Sequence, residues 1–237
     1  MIEWSQWRPT YDRIARRLGL DPEEDRKATH LLTRLLRDTD PDVLLDRLQG
    51  IVRGQRVIVC GAGPSLERDL LQIRRDPNLR EAVLVAADGA ADGMLEFDMK
   101  PDLIVTDLDG DRGALQRSVQ SSTLAIIHAH GDNTTRLEET VPTLPPVLGS
   151  TQVEPTDRAF LWGGFTDGDR ACYVVADYEP SSVILAGMDF GDYVGKWSKP
   201  EGVDVHPATE LKREKLRIGR DLLQQLIAST DISFTEL

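Results

Sequence analysis

The 237-residue chain is 40% hydrophobic and 29% charged, with a formal net charge of −12. That length and apolar content can bury a core of ordinary size, which excludes intrinsic disorder and a disulfide-dependent miniprotein, and no apolar run approaches the roughly 18 residues of a membrane span. The acidic balance excludes nucleic acid as a default partner, because such binding relies on clustered Lys and Arg, so any phosphate ligand has to be held by a few local groups.

Residues 1–52 carry the pattern of three helices. The start Met1-Ile2-Glu3-Trp4 lacks the basic and apolar regions of a secretory signal, so a cytoplasmic protein with no membrane association is expected. Trp4, Trp7, Tyr11, Ile14 and Leu18 recur at alternating three- and four-residue spacing, which places them on one helical face. Core packing is the first reading of this stripe, ahead of substrate binding. Asp21-Pro22-Glu23-Glu24 offers an N-cap, a proline at the first helical position and a capping-box Glu, and Asp40-Pro41 repeats the start signal. The segment reads as a helical cap on a larger domain spanning 53–237.

From Arg56 the pattern changes to short apolar runs alternating with helical stretches. Val57–Cys60, Ala82–Ala86, Leu103–Val105, Leu124–Ile127 and Ser182–Ala186 are continuously apolar, as strands buried on both faces are. Helical spacing fills the gaps, as in Leu66, Leu70, Leu71 and Ile73. These features predict an α/β fold: a doubly wound, mostly parallel Rossmann-like sheet with a small N-terminal helical segment. Cys60 and Cys172 have no zinc-like spacing and read as buried thiols.

Each strand is followed at once by glycine, carboxylate or histidine, which gathers these residues on the edge of the sheet where such folds bind ligands. After the first strand, Gly61-Ala62-Gly63-Pro64-Ser65 offers backbone N–H groups, with Gly61, Gly63 and Ser65 as candidate phosphate or ribose contacts. It is neither a full dinucleotide fingerprint nor a P-loop, and a tight strand-to-helix turn is the alternative. The second strand runs into Asp88, a candidate nucleotide contact, and the third into Thr106-Asp107-Leu108-Asp109-Gly110-Asp111. If that segment continues extended, Asp107 and Asp109 point the same way and can share a hard cation, magnesium being the natural one, while Leu108 packs inward. Asp111 reads as a helix cap.

The fourth strand ends in His128-Ala129-His130-Gly131-Asp132-Asn133, where the two histidines at strand spacing, His128 and His130, are placed near metal or phosphate and Asp132 is a third candidate ligand. Gly163–Arg170, containing Asp167, and Gly187–Gly191, containing Asp189, are expected to wall an acceptor site. Of six lysines, Lys196, Lys199, Lys212 and Lys215 lie close together. Lys212 and Lys215, three apart on one helical face, could supply the positive charge a triphosphate needs, a solvated helix face being the plainer reading.

As an ordered set, these motifs from about Gly54 to Leu216 resemble the archaeal MptE-like 6-hydroxymethyl-7,8-dihydropterin pyrophosphokinases. The Ala-Asp-Gly and Asp-Leu-Asp pieces also look like thiamine pyrophosphokinase. The resemblance implies diphosphate transfer from ATP to the hydroxymethyl group of a reduced pterin, a step toward folate or methanopterin. It implies a magnesium cofactor on Asp107 and Asp109, with Asp132 contributing, these three being the catalytic set. Asp167 or Asp189 would accept hydrogen bonds from the pterin's amino-pyrimidinone edge. ATP and the pterin are then the expected partners, and a homodimer is left open. The Arg-rich, Asp-rich charge balance also resembles cytosolic proteins of salt-loving archaea. Two readings compete: a metal-dependent glycosyltransferase, in which an Asp-x-Asp pair holds a nucleotide sugar, and a nucleotide-binding module without catalysis.

Overall fold

A computed structural model describes residues 1–198 and 204–237. Lys199 therefore lies outside the described residues. The chain begins with helices α1 (Trp4–Leu18), α2 (Pro22–Leu35) and α3 (Pro41–Val52). The caps at α2 and α3 form as expected, with the Asp21 and Asp40 side chains accepting from the N–H groups of Glu23 (2.9 Å) and Asp42 (3.1 Å). Glu24 does not close a capping box; it pairs with Lys27 at 2.7 Å. Trp7, Tyr11 and Ile14 are buried, so the aromatic stripe of α1 is core.

The rest follows in alternation: β1 (Arg56–Cys60), α4 (Leu66–Arg75), the short α5 (Pro77–Arg80), β2 (Val83–Ala87), α6 (Ala90–Glu96), β3 (Leu103–Thr106), α7 (Arg112–Gln120), β4 (Leu124–Ala129), α8 (Thr134–Thr140), β5 (Leu148–Thr151), β6 (Ala159–Phe160), α9 (Asp167–Ala176) and β7 (Ser182–Ala186). A small antiparallel ribbon, β8 (Tyr193–Val194) with β9 (His206–Pro207), precedes α10 (Glu210–Ser229) and β10 (Phe234–Glu236). Among the described residues the main sheet has eight strands in the order β10-β7-β1-β2-β3-β4-β5-β6, every pairing parallel.

Alternate strand residues feed two cores. Ile58, Ala86, Ile104 and Ile127 face α2, α4, α6, α7 and α8. Val57, Val85, Val105 and Ile126 face α3, α9 and α10, so the sheet is covered on both sides. Truncating a fully buried Ile58 or Leu70 to alanine would cost about 2–5 kcal/mol, the usual range for a core cavity. α1 packs apart, its Trp7, Tyr11 and Ile14 meeting Ile218 and Leu222 of α10. Among the described residues no helix is long and apolar enough to cross a membrane.

The strand order places the site. The chain lays down β1 to β6 in one direction and then returns to set β7 on the other side of β1. At such a reversal the connections leave the sheet on opposite faces, and a crevice opens beyond the carboxyl ends of the two strands.

Candidate active site

A crevice of about 600 Å³ runs along the carboxyl ends of β1, β2, β3, β4 and β7, walled by the start of α2, the loop before α9 and the first turns of α10. Among the described residues nine carboxylates and two lysines, Lys212 and Lys215, line it. A polyphosphate would meet strong repulsion here unless it arrived with cations.

At its centre Asp88, Asp107 and Asp109 each present a carboxylate oxygen, all within 4.8 Å of one another. Local backbone chemistry makes this trio. Asp88 follows β2 in a left-handed conformation (φ 44°), its N–H donates to Val105 O at 2.8 Å, and its Oδ1 accepts from Thr106 Oγ1 (2.5 Å) and Gly110 N (3.2 Å). Thr106 Oγ1 in turn accepts from the N–H of Leu108 (2.8 Å), and Asp107 Oδ1 from that of Asp109 (3.1 Å).

The segment after β3 is therefore not extended, contrary to expectation. Leu108 sits at φ 69°, a region β-strands do not use, and its side chain is buried with α7. Asp107 and Asp109 do converge, but through a tight turn rather than strand alternation. Asp111 caps α7, accepting from Ala114 N at 2.6 Å.

The three carboxyls do not share their charge evenly. Burial, then the charges of Asp107 and Asp109, push Asp88 up to about 8, and a side-chain hydrogen bond with Asp109 adds to this. Burial would also raise Asp107, but the hydrogen bond and charge of His130 outweigh it and hold the group near 2. Asp167 is pushed well above the carboxylate range by burial and by Asp107 and Asp88.

His130 begins the turn after β4. Its Nδ1 accepts from Asp132 N (3.3 Å), which leaves Nε2 to carry the proton toward Asp107 Oδ2, 3.2 Å away. Asn133, 1% exposed, spans the two strand ends: its amide donates to Asp107 O (2.8 Å) and His128 O (2.7 Å) and accepts from His130 N (3.1 Å). Asp132 lines the crevice but lies outside the trio, because the turn that binds its N–H to His130 leaves its side chain exposed. The place expected for it beside Asp107 and Asp109 is taken by Asp88.

The glycine loop differs from the expected anion cradle. Asp189 Oδ2 accepts from Ser65 N (3.1 Å) and Ser65 Oγ (3.0 Å), so a carboxylate already sits at the start of α4, where a phosphate was expected. Buried Asp69 adds a second, accepting from Gly187 N at 2.9 Å. Gly63 is required by this close approach: a Cβ there would lie 2.1 Å from Asp189 Oδ2 and 2.5 Å from Gly187 O. Gly61 and Gly63 still line the crevice, while Ser65 does not. Lys212 and Lys215 face it from α10, half-buried, whereas Lys196 is held elsewhere by Glu96 (2.9 Å) and the Trp197 ring.

Asp25, which the sequence reading passed over, lines the floor, and Arg170, the last residue of the Gly163–Arg170 motif, is buried without lining the crevice. Asp25 of α2, buried, accepts from Gly131 N (2.7 Å), Tyr11 Oη (2.5 Å) and Gln152 Nε2 (2.8 Å), tying the N-terminal helices to the His130 turn. Arg170 of α9 is 1% exposed and donates to the carbonyls of Gly163 (3.3 Å) and Phe165 (2.9 Å) beneath Asp167. Asp25 had no readable signal and the role of Arg170 could not be read from its motif, because their partners are distant in sequence or are backbone atoms. Cys60 and Cys172 are buried thiols, Cys60 pushed up to about 12 by burial.

Residues 28–195 match the family described as 6-hydroxymethylpterin diphosphokinase MptE-like. The match begins inside α2, earlier than the first strand. The chain is 41% identical to the 6-hydroxymethyl-7,8-dihydropterin pyrophosphokinase of Pyrococcus furiosus, over 95% of this chain and 94% of that protein. It is 34% identical to the enzyme of the same name from Methanocaldococcus jannaschii, over 98% and 99% of the two chains. For the one from Methanothermobacter thermautotrophicus the identity is 36%, over 97% and 96%. Among solved structures it is similar to the MAf glycosyltransferase from Magnetospirillum magneticum AMB-1, with a TM-score of 0.48 and 18% identity, covering 78% of this chain and 34% of that one.

Proposed function

The chain belongs to the MptE-like 6-hydroxymethylpterin diphosphokinase family, and we propose that it transfers diphosphate from ATP to the hydroxymethyl group of 6-hydroxymethyl-7,8-dihydropterin, giving AMP and the pterin diphosphate. The observation that carries this reading is the near full-length similarity to three proteins of that name. The chemistry of the crevice suits it.

Asp88, Asp107 and Asp109 fit a magnesium site. They offer hard oxygen donors in one small volume, and without a cation burial, with the charges of Asp107 and Asp109 added to it, raises Asp88 to about 8. Magnesium held there would neutralise phosphate oxygens and the charge developing on the oxygen that leaves with AMP.

The protein's own groups chiefly align two substrates. In the transfer, the pterin hydroxyl oxygen bonds to the β-phosphorus, the bond from that phosphorus to the α,β-bridging oxygen breaks with its electron pair leaving on AMP, and the hydroxyl proton passes to solvent water. Lys212 and Lys215 bind the polyphosphate as point charges on the far wall. His130 orients Asp107, and Asn133 fixes both strand ends. Asp132, at the rim, takes no ligand position in this scheme. The carboxylate at the start of α4 favours polyphosphate nearer α10 than the Ser65 turn.

The test is an acceptor panel. The full chain with ATP and magnesium is given the reduced pterin, thiamine or a sugar nucleotide as separate reactions. AMP that appears only with the pterin supports the proposal. AMP with thiamine alone, or consumption of the sugar nucleotide, contradicts it.

A further inference from the structure

The crevice has a second polar end that the phosphate chemistry leaves unused. His128, on β4, is 2% exposed and lines the crevice. Its Nδ1 lies 2.9 Å from Ser150 Oγ on the neighbouring β5, while its Nε2 makes no hydrogen bond of good geometry among the described residues: Gln152 stands beside the ring, but its amide N–H is given to Asp25 at 2.8 Å. Buried ring nitrogens are seldom left unpaired, so such an atom marks a place where another molecule completes the bond.

The surroundings indicate what kind of molecule. Gln152, beside His128, and Asp25, bonded to Gln152, also line the crevice, and the lysines stand on α10. A carboxylate repels a polyphosphate and the neutral polar groups give it no charge to bind, whereas together they suit a flat, uncharged ring with alternating donors and acceptors on its edge. Burial, then the charge of Arg170, keep His128 neutral. The Ser150 hydroxyl can give or take a proton, so Nε2 is able to serve as either donor or acceptor.

We infer that the reduced pterin ring lies at the β4–β5 end of the crevice with its polar edge hydrogen-bonded to His128 Nε2, an assignment that rests on the function proposed above. The hydroxymethyl group would then point toward the carboxylate trio, and the nucleotide would occupy the α10 side.

His128→Phe keeps an aromatic ring and removes both nitrogens. The KM for the reduced pterin is expected to rise about tenfold, the effect of losing one neutral hydrogen bond, with the KM for ATP unchanged. Ser150→Ala, which leaves the ring in place, is expected to raise the pterin KM by a smaller factor. If His128→Phe fails to fold, ring-nitrogen NMR of the wild type reads the same contact: pterin without ATP should move the His128 signal, and ATP without pterin should not. A raised KM for ATP with the pterin KM unchanged would place the nucleotide base here and overturn the inference. So would variants with both KM values unchanged, the bond then being completed by water. A wild type that makes no AMP from the pterin removes the functional reading and this assignment together, whereas the other outcomes remove only the assignment.

Discussion

His130 Nε2 lies 3.2 Å from Asp107 Oδ2, and the opposite ring nitrogen is held by the N–H of Asp132, so one imidazole ties the turn after β4 to the carboxylate trio after β3. Partners of this kind, one bond removed from a metal, commonly change affinity about 10–100-fold when lost. His130→Ala is expected to raise the magnesium concentration needed for half-maximal rate by such a factor, and His130→Gln, which can still present an N–H, to recover part of the affinity. A magnesium titration of the initial rate measures both.

The trio makes stability depend on pH. Asp88 is raised to about 8 in the folded protein, above roughly 3.9 for an unfolded Asp, so its contribution is fully present below about pH 4 and is lost as pH rises toward 8. The metal-free protein should lose several degrees of Tm between pH 5 and pH 8, and magnesium should offset that loss. Asp88→Asn should flatten the dependence, leaving the parts due to Asp167, Asp169 and Asp92, which are raised in the same direction, Asp92 to about 6. Calorimetry of chelator-treated protein is the measurement.

Asn133 makes hydrogen bonds to three backbone groups from a buried position. Asn133→Ala strands the carbonyls of Asp107 and His128, at about 1–3 kcal/mol for each buried group left unpaired. Asn133→Asp should be no better, because a carboxylate cannot donate. Urea unfolding gives the loss directly.

The strands buried on both faces were legible in the sequence because their apolar runs are continuous: β1, β2, β3, β4 and β7 lie where those runs lie. β5 was hidden by its composition, Leu148-Gly149-Ser150-Thr151, whose two hydroxyls are buried because His128 and Thr29 satisfy them (2.9 and 2.7 Å). β6 and β10 are short edge strands with too few residues to show a period. In the site, the nearness of Asp107 and Asp109 could be read from their spacing, but the route could not, since it depends on Leu108 adopting a left-handed conformation and on the Thr106 hydroxyl. Asp88 and Asp25 act through partners 14 to 127 residues away, contacts that local patterns do not encode.

Lys212 and Lys215 are the lysines of an otherwise acidic crevice wall among the described residues. Replacing either with alanine should raise the KM for ATP about tenfold, with the effect shrinking at high salt, as expected for charges facing polyphosphate near water. The pterin KM should stay unchanged. Steady-state kinetics at two ionic strengths separates this from a general loss of folding.

The most direct test of the carboxylate trio as the centre of diphosphoryl transfer is the phosphorus NMR spectrum of the reaction with ATP, magnesium and the reduced pterin, run for the wild type and for Asp109→Asn. The wild type should give AMP and a pterin diphosphate, and the variant should slow this by about 10²–10³-fold, the scale of losing one electrostatic stabiliser. Full activity in Asp109→Asn, or ADP in place of AMP from the wild type, would contradict it.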